Sequence, residues 1–273
     1  MTPKEIRLAL SEGISSWLRF EHHAGREELF SERYLALPIG QILQHCLGGK
    51  VTGESNHPVL TTPGKAGRAP QLDFIVTDGT KGVVLVVESK WAAKVGVSIA
   101  DVLWDCVRLE LAAHHYGCDA MFILAGTRKQ VDIVLKSRSF STKNSRLKPT
   151  YVLNLHGSGK YSVKINSFEE AYIVPLHNVF RNYPGVLWPS ELVCGSGTQV
   201  PQLASANSYT AVVWHIKPAD DAKRRPIDSL SESETTERKE KAVASIKKKL
   251  ANKKAAAKNA KASLVKTSAV RKQ

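Results

Sequence analysis

The chain has few cysteines, no long apolar run and no nucleotide-binding glycine motif, and each shortage argues against a class of protein. Cys46, Cys106, Cys118 and Cys194 are the four cysteines in 273 residues, and no two form a CxxC pair. That spacing argues against a disulfide framework and a zinc knuckle. It points to a reducing, cytoplasmic setting. Residues 1–10 lack the apolar stretch of a signal peptide. No segment reaches the roughly 18 apolar residues of a membrane helix, so no membrane partner is expected. No GxGxxG or P-loop occurs, which leaves nucleotide hydrolysis without support. Gly195-Ser196-Gly197 does not fit a nucleophile elbow. His22-His23 and His114-His115 are adjacent pairs. Helical neighbours face apart, so neither pair suits one zinc ion. There is no internal repeat.

What the chain does carry is positive charge, unevenly spread. The net charge is +14, and residues 217–273 hold 17 Lys and Arg against 7 Asp and Glu. From Lys241 onward there are 11 basic residues and no acidic one. Lys247, Lys248, Lys249, Lys253 and Lys254 are the densest part. Such a segment neutralises phosphates without reading sequence, and its binding weakens with salt. Nucleic acid, most plausibly DNA, is the expected partner, and the tail would suit nucleoid association. The plain alternative is a solvated tail or a protein-docking segment. Residues 218–235 read as a polar linker. Residues 237–262 are rich in Ala and Lys without an apolar stripe, which predicts a loose helix or disorder.

The pattern ahead of the tail, residues 1–216, predicts one mixed α/β domain. Residues 4–21 show apolar positions at three- and four-residue steps, as does a stretch over 26–47. Pro38 should kink or restart the second helix, and Gly48-Gly49 should end it. Residues 50–70 read as loop or weak edge structure. Strands are expected over 71–77 and 82–91, joined by hairpin chemistry at Asp78-Gly79-Thr80-Lys81. The run Val83-Val84-Leu85-Val86-Val87 suits a strand buried on both faces. Residues 98–116 read as a helix with Ser98 and Asp101 at capping-box spacing. A strand follows at 120–125. Residues 127–136 suit a helix, and 151–155, 161–165, 171–176 and 208–216 suit strands.

Chemistry concentrates between Gln71 and Trp91. Asp73 lies between Leu72 and Phe74, and Glu88 and Lys90 end the apolar strand. Side chains alternate along a strand, so Glu88 and Lys90 share a side. A turn at Gly79-Thr80 pairs Asp73 with Val86, diagonal to Glu88, and two more residues of stagger would set the carboxylates opposite. Either register keeps both on one face. Two carboxylates there fit a hard cation such as Mg²⁺, and Lys90 could orient water or stabilise charge. A structural ion pair is the bland alternative. Asp105 and Arg108, one turn apart on the next helix, could face the site or nucleic acid, but an exposed ion pair is the preferred reading. Trp91 reads as core. Lys94 and Arg68 are candidate phosphate contacts.

Asp73 followed after fourteen residues by Glu88-Ser89-Lys90 resembles the PD-(D/E)XK, or restriction-endonuclease-like, nuclease superfamily over residues 25–126. Leu72 stands where that pattern has proline, and Pro70 lies three residues before Asp73. The resemblance implies a central mixed β-sheet flanked by helices. It also implies Mg²⁺ or Mn²⁺ held by Asp73, Glu88 and the Ser89 main-chain carbonyl, with Lys90 as the catalytic lysine. A further acidic ligand would come from the first core helix: Glu32, or else Glu28 or Glu21. The implied activity is phosphodiester hydrolysis by a DNA endonuclease, with a homodimer possible. The competing function is a non-catalytic nucleic-acid-binding protein that uses the same fold and the basic tail.

Overall fold

The apolar run 83–87 lies in the middle of a sheet, with Leu85, Val86 and Val87 buried. This is a computed structural model, and it describes residues 1–61, 69–92, 99–136, 153, 160–165, 170–200 and 205–226. Helices α1 (Pro3–His23) and α2 (Glu32–Leu47) precede strands β1 (Lys50–Asn56), β2 (Gln71–Asp78) and β3 (Gly82–Trp91). Then come α3 (Ile99–Tyr116), β4 (Asp119–Thr127), α4 (Arg128–Lys136), β5 (Lys160–Lys164) and α5 (Glu170–Phe180). Short strands β6 (Trp188–Pro189), β7 (Glu191–Gly195) and β8 (Thr198–Gln199) lead to β9 (Tyr209–Lys217) and β10 (Arg224–Arg225).

The main sheet runs β1-β2-β3-β4-β9-β7-β5, with β8 also on β9. Among the described residues β3 and β4 form its one parallel pair. A parallel pair needs a crossover, and α3 supplies it. The fold is therefore mixed α/β, with a mostly antiparallel sheet flanked by helices. On one face α1 and α2 bury Ile6, Leu10, Ile14, Leu35 and Ile39 against Phe74, Val76, Leu85 and Val87. By strand alternation, Asp73, Val86 and Glu88 belong to the opposite face. There α3 packs on β3, β4 and β9.

Local chemistry accounts for the element ends. Thr2 Oγ1 accepts the Glu5 N–H at 3.3 Å, and Glu5 Oε2 accepts the Thr2 N–H at 2.7 Å. That reciprocal cap starts α1. Ser31 caps α2, so the helix begins there rather than near residue 26, and it continues through Pro38. Gly48 ends it in the left-handed region at φ 62. At Gly49 a Cβ would meet the Thr77 carbonyl oxygen at 2.5 Å, so only glycine lets β1 start this close to β2. On the β8 side of β9, among the described residues, strand pairing stops at Val212, and α1 takes the main-chain groups of Ala211. Ser11 Oγ donates to the Ala211 carbonyl at 2.7 Å, and Ser15 Oγ accepts the Ala211 N–H at 2.9 Å.

Two expectations change. Residues 171–176 belong to helix α5, not a strand. Ile173, Leu176, His177 and Phe180 are its buried positions, a helical spacing visible only when the run is followed past Leu176. Residues 50–56 form a mostly exposed edge strand, which agrees with the weak edge structure expected there as one of two readings. The body also continues beyond residue 216. Glu110 Oε1, fully buried in α3, accepts Arg224 Nη2 at 2.5 Å and the Ala219 N–H at 2.7 Å. Residues 219–225, read from composition as linker, are thereby held against the core. Apart from buried Leu153, the strand expected at 151–155, the Ser98 cap and the tail from residue 227 lie outside the described residues.

Glu110 gives a pH prediction. Among the described residues its Oε2 has no hydrogen-bond partner. Burial outweighs Arg224 and pushes the carboxyl up from 4.5 to about 7. Between those values the folded protein holds a proton that the unfolded chain has released. Its contribution to stability is therefore full at low pH and declines as pH rises to about 7. Urea unfolding across that window should show the decline in wild type, and Glu110→Gln should flatten it. An unchanged slope in the variant would remove Glu110 as the cause.

Candidate active site

The β2–β3 hairpin brings the motif together through two one-residue irregularities. The loop has three residues, because Asp78 pairs with Gly82. Asp78 Oδ1 holds its tip by accepting the Thr80 N–H at 3.0 Å and the Thr80 hydroxyl at 2.9 Å. A bulge then shifts the register between Val76 and Thr77, leaving Val84 as the extra residue. Each irregularity moves the partner by one residue. The two together preserve the face. The Phe74↔Val87 pairing, extended by one residue, sets Asp73 opposite Glu88.

Asp73 is fixed by its neighbour strand. Its Oδ2 accepts the Ser89 N–H at 2.7 Å and the Ser89 hydroxyl at 2.8 Å. Glu88 is 1% exposed and pairs with Arg108 of α3. Lys90 Nζ lies 3.3 Å from Glu32 Oε1 in the first turn of α2 and 3.2 Å from Asp105 Oδ2 in α3. Arg108 also lies 3.3 Å from Asp105 Oδ1. Asp105 is buried. The structure thus corrects the reading of Asp105 and Arg108 as an exposed pair: both belong to this cluster.

The electrostatics follow from burial and crowding. Burial pushes the Glu88 carboxyl well above the usual range, and the Asp105 and Asp73 charges add to it against Arg108. Burial likewise raises Asp105 to about 6, opposed by Arg108 and Lys90. Burial alone would lower Lys90, but Asp105 and Glu32 outweigh it and hold the ammonium above the ordinary lysine range. Lys90 is therefore a fixed positive charge at neutral pH. With every group ionised, Asp73, Glu88, Asp105 and Glu32 face Lys90 and Arg108. That leaves two negative charges in excess.

Beside Asp73 a cleft of about 370 Å³ is lined by Glu32, Arg33, Gly53, Glu54 and Ser89. Glu54 has φ 47, and among the described residues no other non-glycine has positive φ. Left-handed backbone at such a residue is strained, and strain of this kind clusters at working sites. Sequence reading missed Glu54 because its segment carries no strand periodicity. His57 was missed too. It is fully buried behind the site, and its Nε2 donates to the Arg108 carbonyl at 2.9 Å. Its Nδ1 accepts the Val59 and Leu60 N–H groups. Burial lowers its pKa to about 4, so the ring is a neutral prop.

An oxygen-only donor set, with two negative charges in excess once every group is ionised, fits a hard divalent cation. Among the described residues no three acidic, His or Cys side chains already converge as a ligand set. The fit rests on Asp73, Glu88 and the Ser89 carbonyl, with water and phosphate filling other positions, as Mg²⁺ commonly accepts. Glu32 reaches the cluster through Lys90. Glu21 does not: Arg26 binds both its oxygens at 2.6 Å, and Tyr34 donates to one of them. Glu28 is exposed in a short turn before α2. Trp91 packs with Phe30 and Tyr209 against the core. Arg68, Lys94, Lys247, Lys248, Lys249, Lys253 and Lys254 lie outside the described residues. No described helix is long and apolar enough to cross a membrane. No family model, curated protein or solved structure matches this chain.

Proposed function

We propose that this protein is a metal-dependent nuclease of the PD-(D/E)XK type, with DNA as substrate. The single observation that carries the reading is the convergence of Asp73, Glu88 and Lys90 at the carboxyl end of β3. That is also the end of the parallel β3–β4 pair, and open α/β sheets bind ligands beyond the carboxyl ends of their strands. The element order α2-β1-β2-β3-α3-β4 and the helices on both faces agree with the core that the resemblance implies.

Each residue has a task in that reading. Asp73 and Glu88 supply carboxylate oxygens, oriented respectively by Ser89 and by the buried face of β3. Bound there, Mg²⁺ or Mn²⁺ would polarise the scissile phosphate and acidify a water. Lys90 holds its charge where negative charge grows in the transition state. Asp105 and Glu32 keep that ammonium in place. The tail would add phosphate contacts that do not read sequence.

The test is cleavage of single-stranded DNA, duplex DNA and RNA by the full chain with Mg²⁺, Mn²⁺ or EDTA. The reading expects strand breaks with metal and none with EDTA. One observation favours a second reading: Glu88 and Lys90 already have protein partners, as in a structural ion-pair network. A non-catalytic binder would hold nucleic acid without cutting it and lose most affinity when residues 227–273 are removed.

A further inference from the structure

Glu88 is the deepest acid of the cluster, and its partner is a cation that the chain itself provides. The Arg108 guanidinium sits on Glu88 Oε1 and reaches Asp105 Oδ1 at 3.3 Å. Its side chain is 14% exposed and that of Glu88 is 2% exposed. A carboxylate this buried cannot stand unpaired. A divalent ion on the same carboxylate would bring two positive charges against a fixed third. Guanidinium and ion cannot both keep Glu88 at full strength, because like charges a few ångströms apart repel strongly in a buried site.

We propose that Arg108 stands in for the divalent ion on Glu88 while the site is empty, and gives up that contact when the ion binds. This rests on the nuclease reading, since it presumes an ion at Asp73 and Glu88. The surroundings suit an exchange confined to one side chain. His57 holds the Arg108 main-chain carbonyl at 2.9 Å, so α3 need not move. Asp105 remains as a second anchor for the released guanidinium. Arg108 thereby keeps the metal-free fold intact and lowers metal affinity. Asp73 has no such competitor among the described residues: its hydrogen bonds come from neutral Ser89.

The test is Mn²⁺ titration of the full chain, read by the electron paramagnetic resonance of free Mn²⁺, without substrate. Arg108→Gln should bind Mn²⁺ at least about tenfold more tightly than wild type, because a repelling charge is gone. Arg108→Lys keeps the charge and should stay within about threefold of wild type. In the wild-type chain, nitrogen-15 spectra of arginine side chains should show the Arg108 Nε–H signal moving as Mg²⁺ saturates the site. That reading decides the matter if Arg108→Gln does not fold. Wild-type binding with equal or weaker binding in Arg108→Gln, or an Arg108 signal that ignores Mg²⁺, overturns the exchange and leaves the nuclease reading standing. Absence of binding in all three proteins would instead remove the metal reading, and this inference with it.

Discussion

Lys90→Met should lose a hundredfold or more of metal-dependent cleavage while the protein stays folded. Methionine keeps the apolar stem of the lysine and removes only the charge. Preorganised donors aimed at developing negative charge are worth about 10²- to 10³-fold in rate. In the proposed nuclease Lys90 would be such a donor, because Asp105 and Glu32 hold it within 3.2 and 3.3 Å. The loss should fall on kcat, since the charge matters most in the transition state. Asp73→Asn should be at least as damaging. In the proposed nuclease it would weaken a metal ligand, while an amide can still accept the Ser89 N–H. Thermal unfolding of both variants separates a chemical loss from a structural one. A folded Lys90→Met protein with at least half the wild-type rate would strip Lys90 of its role.

Arg224→Ala should be the most destabilising single change outside the site. It leaves Glu110 fully buried, with only the Ala219 N–H for its charge. Breaking one side of a buried ion pair typically costs about 3–5 kcal/mol. For a body of this size that lowers the midpoint of thermal unfolding by on the order of 10 °C. The double change Glu110→Leu with Arg224→Met should recover much of it, because an apolar pair leaves no orphan charge. A single variant that melts within a degree or two of wild type would mean that residues 219–225 are not held to α3 through this contact.

The hairpin was legible because strand parity survives small errors. The sequence predicts a two-residue turn. The observed loop has three residues, and the bulge at Val84 adds one more shift. Two single shifts restore parity, so the strand face shared by Asp73, Glu88 and Lys90 was legible although the register was not known. Asp105 and Arg108 could be read as site residues only as the less favoured alternative to an exposed pair. An amphipathic stripe on α3 implies one covered face and one wet face. In the fold α3 is covered twice: the sheet lies on one side, and α5, β6 and the 219–225 segment lie on the other. Trp104 shows this by packing with Phe180 and Trp188. Nothing in a helical period reports a second covering layer supplied by chain from Glu170 onward, far along the sequence from α3. Arg224 was hidden for the same reason. Its basic neighbourhood matches the tail in composition, and only a partner inside the core tells them apart.

For the proposed nuclease, Asp73 and Glu88 must share one divalent ion. Anomalous diffraction from crystals of the full chain grown with Mn²⁺ addresses it directly. One strong peak is expected between the two carboxylates, within ligand distance of both and of the Ser89 carbonyl. No peak there at saturating Mn²⁺, with Glu88 still held by Arg108, would contradict it.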